Sequence, residues 1–262
     1  MSLDETDPSA PTKFQQQDRQ YEFPYHYIPR MEGGVFRLSR TLRWGYEYLS
    51  YIQYIVETAS RQSFGRLLDV GCGDGRLLYE LAKRSDADKL FGVDLSESAI
   101  VLAKHLSPSI TFANLDIIHD RTLNNQFDAM TCSEVLEHIP PNVLPEFVRA
   151  MRRKSTDNGI LWLTVPSTNF SVSKKHFQHF DSEKLRETLE PAFEIERIEY
   201  LNSNRWFVRN VIENLFTNRY FAINHPSVTT RLYRFYCRRF LKASPSDGRR
   251  LFAICRPALR ED

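Results

Sequence analysis

The sequence predicts an α/β fold: a seven-stranded, mostly parallel, doubly wound sheet with an antiparallel edge strand, an N-terminal helical cap and a C-terminal helical insertion. Three observations predict it. Short apolar runs alternate with helical patterns from Arg66 to Val165, as in a parallel sheet with crossover helices. A glycine-rich turn closes the first apolar run. Two further apolar runs come late, without a crossover helix of the usual length between them, which suits antiparallel pairing.

Met1 to Gln20 is polar, with Pro8, Pro11 and three consecutive glutamines, and lacks an apolar signal-peptide core. It is expected to be a disordered tail of a cytosolic protein. Residues 21–65 form the helical cap: an irregular aromatic-rich stretch, then a helix over Thr41–Gln62 with an apolar face including Leu42, Tyr46, Leu49 and Ile52.

The core, residues 66–204, opens with a strand at Leu67–Val70 and a helix over Gly75–Arg84. A strand at Leu90–Asp94 precedes a helix at Ser96–Leu106, and Ile110–Ala113 forms the third strand. Phe127–Ser133 is the fourth, a helix spans Pro141–Lys154, and Gly159–Val165 follows an Asn158-Gly159 turn. After a helix at Ser182–Leu189 come the late strands, Phe193–Leu201 and Leu251–Cys255, the latter in a final segment, 246–262.

Between them lies the insertion, 205–245, read as helices over about Phe207–Thr217 and Val228–Leu241. From Arg205 to Lys242 it carries seven Arg, one Lys and one Glu, a charge of 8 − 1 = +7 against +2 for the whole chain. It is expected to pack as a lid, with contact to a membrane surface or a second copy of the chain as further roles. Apolar windows are short and interrupted by charge, so no transmembrane helix is expected. Cys72, Cys132, Cys237 and Cys255 show neither paired nor metal-type spacing, and free thiols in a reducing compartment follow.

Chemistry concentrates at the strand ends. In LLDVGCGDGRLL, Asp69 ends the first strand and Gly71, Gly73 and Gly75 alternate before a helix. Glycines let bare backbone lie against a ligand, and the helix start offers unpaired N–H groups. The G-x-G-x-G spacing departs from the dinucleotide fingerprint, and the preceding acid suits a cationic ligand better than a pyrophosphate. Asp94 ends the second strand, where a carboxylate can take both hydroxyls of a ribose. Asp116 follows the third strand.

The glycine segment resembles motif I of class I S-adenosylmethionine-dependent methyltransferases, a Rossmann-like family. Cys132-Ser133-Glu134-Val135-Leu136-Glu137-His138-Ile139 resembles the S-x-V-L-E-H segment of ubiquinone-biosynthesis-type and related small-molecule methyltransferases. His176, Phe180 and Leu185 fit the H-x-x-x-F-x-x-x-x-L pattern of the same relatives. The resemblance, covering roughly Arg66 to Leu201, implies S-adenosylmethionine as cofactor. By it, Asp69, Gly71, Cys72 and Gly73 meet the methionine part and Asp94 the ribose. Leu95 and Ile117 sandwich the adenine, Asp116 lies near its amino group, and Ser133 and Glu134 complete the cofactor site.

A histidine titrates near neutrality and suits deprotonation of a hydroxyl; His138, His176 and His179 are the catalytic candidates. The expected function is O-methylation of a small-molecule, glycan or lipid-linked acceptor. N-P-P-Y and Pro-Cys motifs are absent, which disfavours base-amino and cytosine-C5 methylation. Two alternatives stay open. Glu134, Glu137, His138 and His176 resemble the metal-holding residues of RNA 2′-O-methyltransferases, but the downstream H-x-x-H-x-F-x-W pattern is missing, so no metal is expected and RNA is the less favoured acceptor. The other alternative is a cofactor-binding subunit without activity.

Overall fold

The computed structural model describes residues 12–18, 30–32, 35–37, 42–190, 192–204, 211, 215 and 225–258. Its helices are α1 (Lys13–Asp18), α2 (Leu42–Ala59), α3 (Arg76–Leu81), α4 (Glu97–Leu106), α5 (Leu144–Lys154), α6 (Ser182–Leu189) and α7 (Pro226–Phe240). A small hairpin joins β1 (Arg30–Glu32) to β2 (Val35–Arg37). The main sheet uses β3 (Leu67–Val70), β4 (Leu90–Asp94), β5 (Thr111–Asn114), β6 (Phe127–Ser133), β7 (Ser155–Pro166), β8 (Phe193–Ser203), β9 (Lys242–Ala243) and β10 (Gly248–Pro257).

These eight strands run in the order β5-β4-β3-β6-β7-β10-β8-β9. β5 through β7 pair in parallel, and β10 lies antiparallel between β7 and β8. The eighth strand, beyond the expected seven, is β9, which lies beside Tyr200 and Leu201 of β8. The chain leaving α7 runs along β8 before a tight turn, where Ser244 N–H donates to Asp247 Oδ1 (2.8 Å) and Gly248 N–H to the Ser244 carbonyl (2.9 Å).

Successive strand residues serve opposite faces. Leu68, Val70, Met130, Leu161 and Leu163 pack with Phe147, Met151, Leu185 and Leu189 of α5 and α6. Leu67, Leu90, Ala129, Trp162 and Phe252 pack with Ile52, Ile55, Leu78 and Ile100 of α2, α3 and α4. Each such buried apolar side chain contributes about 1.5–3 kcal/mol. The sheet is sealed on both faces, so ligands must approach its strand ends.

The 1–20 tail expectation fails at residues 13–18. Thr12 Oγ1 accepts from Gln15 N–H (3.2 Å) while Gln15 Oε1 accepts from Thr12 N–H (2.8 Å). This reciprocal capping box starts α1 in an otherwise polar run. The irregular reading of 21–40 fails at the hairpin. β7 begins at Ser155, so Asn158-Gly159 lies inside a strand, beside a register irregularity opposite Phe127–Ala129. The first insertion helix falls outside the described residues except for Val211 and Leu215, both helical. The second is α7, which starts early because Pro226 suits the first helical turn. No helix among the described residues is long and apolar enough to cross a membrane. All four cysteines are free; Cys237 is half-buried and the others buried.

Candidate active site

A cavity of about 1020 Å³ opens where the parallel strands end. Every candidate cofactor residue lines it: Asp69, Gly71, Cys72, Gly73, Asp94, Leu95, Asp116, Ile117, Ser133 and Glu134. His138 and His176 line it too, whereas His179 does not and is 3% exposed.

The glycine loop is held by β4. Gly71 and Cys72 donate N–H groups to the Val93 carbonyl at 2.8 and 3.0 Å. Gly71 has φ +70, and a Cβ there would sit 2.4 Å from Val135 Cγ2. Only glycine satisfies both the left-handed backbone and that approach. Asp94 clamps the loop: Oδ2 accepts from Gly73 N–H and Oδ1 from Ser96 N–H, each at 2.9 Å. A carboxylate oxygen has two acceptor sites, so capacity for further donors remains. Ser96 separately caps α4 by accepting from Ala99 N–H at 3.1 Å.

Asp69 is buried and accepts from Thr131 Oγ1 (2.7 Å). Burial, reinforced by Asp94 and Asp74, pushes its carboxyl up to about 7 despite that bond. An acid so short of positive partners fits a cationic ligand. Burial likewise raises Asp94 and the Cys72 thiol. Asp116 is opposite in sense: although partial burial would raise it, bonds from His119 (2.7 Å) and Ile118 N–H (2.8 Å) hold its carboxyl below the usual range. Leu95 is half exposed at the cavity edge and Ile117 is buried, an apolar pair suited to a flat ring. Ser133 shares a hydrogen bond with Thr164 Oγ1 (2.8 Å).

Beyond these residues the wall is built from distant segments. Glu134 has φ +58, an uncommon left-handed conformation for a non-glycine residue. Its Oε2 lies 3.1 Å from Arg250 Nε, and Arg250 also reaches Glu47 Oε1 (2.9 Å) and stacks over Tyr51. Burial would lower the Arg250 pKa, but Glu134 and Glu47 outweigh it and raise it. Glu137 is 1% exposed; burial and then Glu134 push its carboxyl well above the usual range. Glu134 Oε1, Glu137 Oε2 and Ser173 Oγ are buried without hydrogen-bond partners among the described residues, and all three residues line the cavity. Native proteins rarely strand buried polar atoms, so this end is shaped for a polar ligand.

The histidines are ordered by carbonyls, which only accept. His179 Nδ1 contacts the Phe170 carbonyl (3.2 Å), so it carries the proton and leaves Nε2 as acceptor. His176 Nδ1, 2.9 Å from that Nε2, is then the donor, and His176 Nε2 keeps a free lone pair. His138 Nδ1 donates to the Lys175 carbonyl (3.2 Å), leaving its Nε2 as acceptor. Burial lowers His138 to about 4 and, with His138 and His179 nearby, His176 to about 3. Both are neutral at physiological pH. Glu137, His138 and His176, three of the four residues named for the metal-holding alternative, also bring one potential ligand atom each to within 4.8 Å of one another.

α1 closes the rim. Lys13 Nζ donates to the His176 carbonyl and lies over the Phe177 ring (4.5 Å), while Asp18 accepts from Ser96 Oγ. Lys13, Glu47, Tyr51 and Arg250 were not identifiable from the sequence. The Thr12–Gln15 capping spacing could have flagged α1; nothing local flags the others.

A doubly wound sheet with a glycine loop, acids ending successive strands and β10 inserted antiparallel defines a class I S-adenosylmethionine-dependent methyltransferase fold. A family model described as "Methyltransferase domain" matches residues 40–222, and the chain belongs to that family. Over 131 residues it is 34% identical to the protein-lysine N-methyltransferase efm4 of Schizosaccharomyces pombe, covering 42% of this chain and 53% of that protein. Over 113 residues it is 35% identical to a ubiquinone biosynthesis O-methyltransferase of an Azoarcus species, covering 41% and 46%. The chain thus spans about half the length of the curated relatives it matches. Among solved structures, the N-methyltransferase NodS of Bradyrhizobium japonicum, in complex with S-adenosylhomocysteine, aligns over 95% of this chain and 100% of its own. Its TM-score is 0.60 at 15% identity. The [4+2]-cyclase SpnF aligns over 96% and 98%, with TM-score 0.58 at 20% identity. These likenesses establish fold alone.

Proposed function

We propose that the protein transfers the methyl group of S-adenosylmethionine to a hydroxyl of a small-molecule, glycan or lipid-linked acceptor, with His176 as general base. One observation carries the base assignment: the chain from the Phe170 carbonyl through His179 fixes the His176 tautomer, leaving Nε2 to accept a proton, although burial, which lowers its pKa to about 3, makes it a weak base in the ligand-free cavity. His179 is a positioning residue, and the direct role expected for it gives way to one exerted through His176. S-adenosylmethionine supplies a methyl group on a positively charged sulfur, already activated for in-line displacement. The protein's work is to align the partners and remove a proton. Bound in the crevice, S-adenosylmethionine would supply the methyl group to the acceptor oxygen and leave as the neutral thioether, and His176 Nε2 would take the hydroxyl proton. Asp69 balances the cofactor's positive charge and Asp94 accepts from the ribose. Leu95 and Ile117 flank the adenine beside Asp116. Glu134, expected at the cofactor site, is assigned with Glu137 to the acceptor's remaining hydroxyls, because its Oε1 is buried without a partner among the described residues and its Oε2 meets Arg250.

Tritiated-methyl transfer to fractionated extract, with the labelled species identified, tests this reading. Label on a hydroxyl-bearing molecule supports it; label on amines or nucleic-acid bases, or cofactor binding with no transfer to any fraction, overturns it. A second reading is favoured by the convergence of Glu137, His138 and His176. In it these side chains hold a divalent cation that assists deprotonation. Activity lost to a chelator and restored by Mg²⁺ or Mn²⁺ supports this version, and full activity in chelator rules it out.

A further inference from the structure

We propose that α7 docks the protein onto an anionic phospholipid surface. α7 is amphipathic in an inverted sense: its aromatic side is already used. Tyr236 and Phe240 are buried, and Tyr46 of α2 packs on Tyr233 and Tyr236 with ring centroids 5.7 and 6.2 Å apart. Tyr46 also donates to the Thr229 carbonyl at 2.8 Å. The opposite side holds Arg231, Arg234, Phe235, Arg238 and Arg239, all exposed. At about 100° per residue these five positions fall within an arc of about 140°, so the four arginines share one face. None of the four has an ion pair or hydrogen bond among the described residues. The surrounding sequence deepens the field, since Arg205–Lys242 carries +7 while the remainder sums to 2 − 7 = −5.

A bilayer fits this face better than a nucleic acid does. Phe235, 41% exposed, sits within the arginine face. Val211 and Leu215, 46% and 62% exposed, belong to the same basic stretch. Phe235 gains from a lipid interface, and the exposed aliphatic groups of the stretch, unlike an aromatic ring, cannot stack on bases. Headgroup phosphates suit guanidinium forks. The docking also bears on the site, because Tyr46 contacts α7 while its neighbours Glu47, Tyr48 and Tyr51 line the cavity.

The test is co-sedimentation of the full chain with phosphatidylcholine vesicles, with and without 30% phosphatidylglycerol, alongside a single-stranded RNA oligonucleotide. Each arginine near an anionic surface contributes about fivefold to partitioning. The expected result is binding to the anionic vesicles only, weakened by salt, and reduced at least about 100-fold in the triple variant R231E/R234E/R238E. Phe235→Ala is expected to weaken binding several-fold. Circular dichroism and S-adenosylmethionine affinity confirm that the variants fold. The proposal is overturned by failure to bind anionic vesicles at low salt, by undiminished binding of a folded triple variant, or by RNA binding without vesicle binding. Methyl transfer is not read, so this result stands apart from the enzymatic proposal.

Discussion

The two ends of the cavity are built by different rules. The cofactor end comes from consecutive strand–turn units: Asp69 to Gly75, Asp94 to Ser96, then Asp116 and Ile117. The acceptor end gathers Lys13, Glu47, Tyr51, Glu134, His176 and Arg250 from across the chain. The first end is stabilised by backbone, with Gly71 and Cys72 on the Val93 carbonyl and Gly73 on Asp94. The second is stabilised by buried charge, with Arg250 between Glu47 and Glu134. Backbone devices leave local patterns in sequence; charge networks assembled by topology do not. The glycine-loop end is therefore legible in the sequence, and the end around Arg250 is not.

This contrast can be broken. The largest effect is expected from His176→Ala, which should lower turnover by about 10²–10⁴-fold while cofactor affinity measured by calorimetry changes less than about twofold. A matching loss of affinity would mean that the two ends are not separable. Arg250→Ala leaves Glu134 without its cation, whereas Glu47 keeps Arg249 at 3.0 Å. Urea denaturation should show a loss of about 3–5 kcal/mol; an unchanged midpoint would refute the charge-held description of this end.

Gly71→Ala acts on the cofactor end through φ +70 and the 2.4 Å approach to Val135. A loss of about 2–4 kcal/mol from the left-handed backbone and overpacking is expected in thermal melts, with weakened cofactor binding. A wild-type melt and affinity would show that the loop tolerates a side chain.

A smaller effect separates charge from packing at Asp69. Its folded pKa is raised from 3.8 to about 7, so the ligand-free protein loses stability as pH rises between those values. A cationic ligand prefers the ionised acid. Affinity for S-adenosylmethionine should therefore rise with pH, by at most about tenfold per unit, and level off above about 7. Asp69→Asn should flatten that profile; a persisting slope would assign it to another group. The smallest change is expected for Lys13→Ala, about 1 kcal/mol or less for an exposed-rim cation–π contact, read as a modest change in cofactor release rate. No change in release would reduce α1 to a bystander.

Much of the frame could be read in advance. Apolar runs located β3 through β7, and glycine spacing with acids at strand ends located the cofactor crevice. The late strands were recognised as antiparallel because no ordinary crossover joins them. What escaped has physical reasons. β9 is two residues long and exists only because the chain runs beside Tyr200 and Leu201. α1 is a polar run whose Lys13 and Asp18 find partners across the cavity, and only the Thr12–Gln15 cap was visible locally. Arg250 lay just outside the expected strand Leu251–Cys255, yet the strand starts at Gly248 and pairs Arg250 opposite Pro166 and Leu201, which brings it to the site. His179 was a candidate because it shares a loop with His176, but its ring turns inward to hold that histidine rather than lining the cavity.

The placement of β10 bears on how the molecule assembles during synthesis. β3 through β7 are contiguous neighbours in the sheet, whereas β8 joins them only through a strand made about 50 residues later. The glycine loop and the strand-end acids are thus made well before Arg250, the guanidinium that closes onto Glu134.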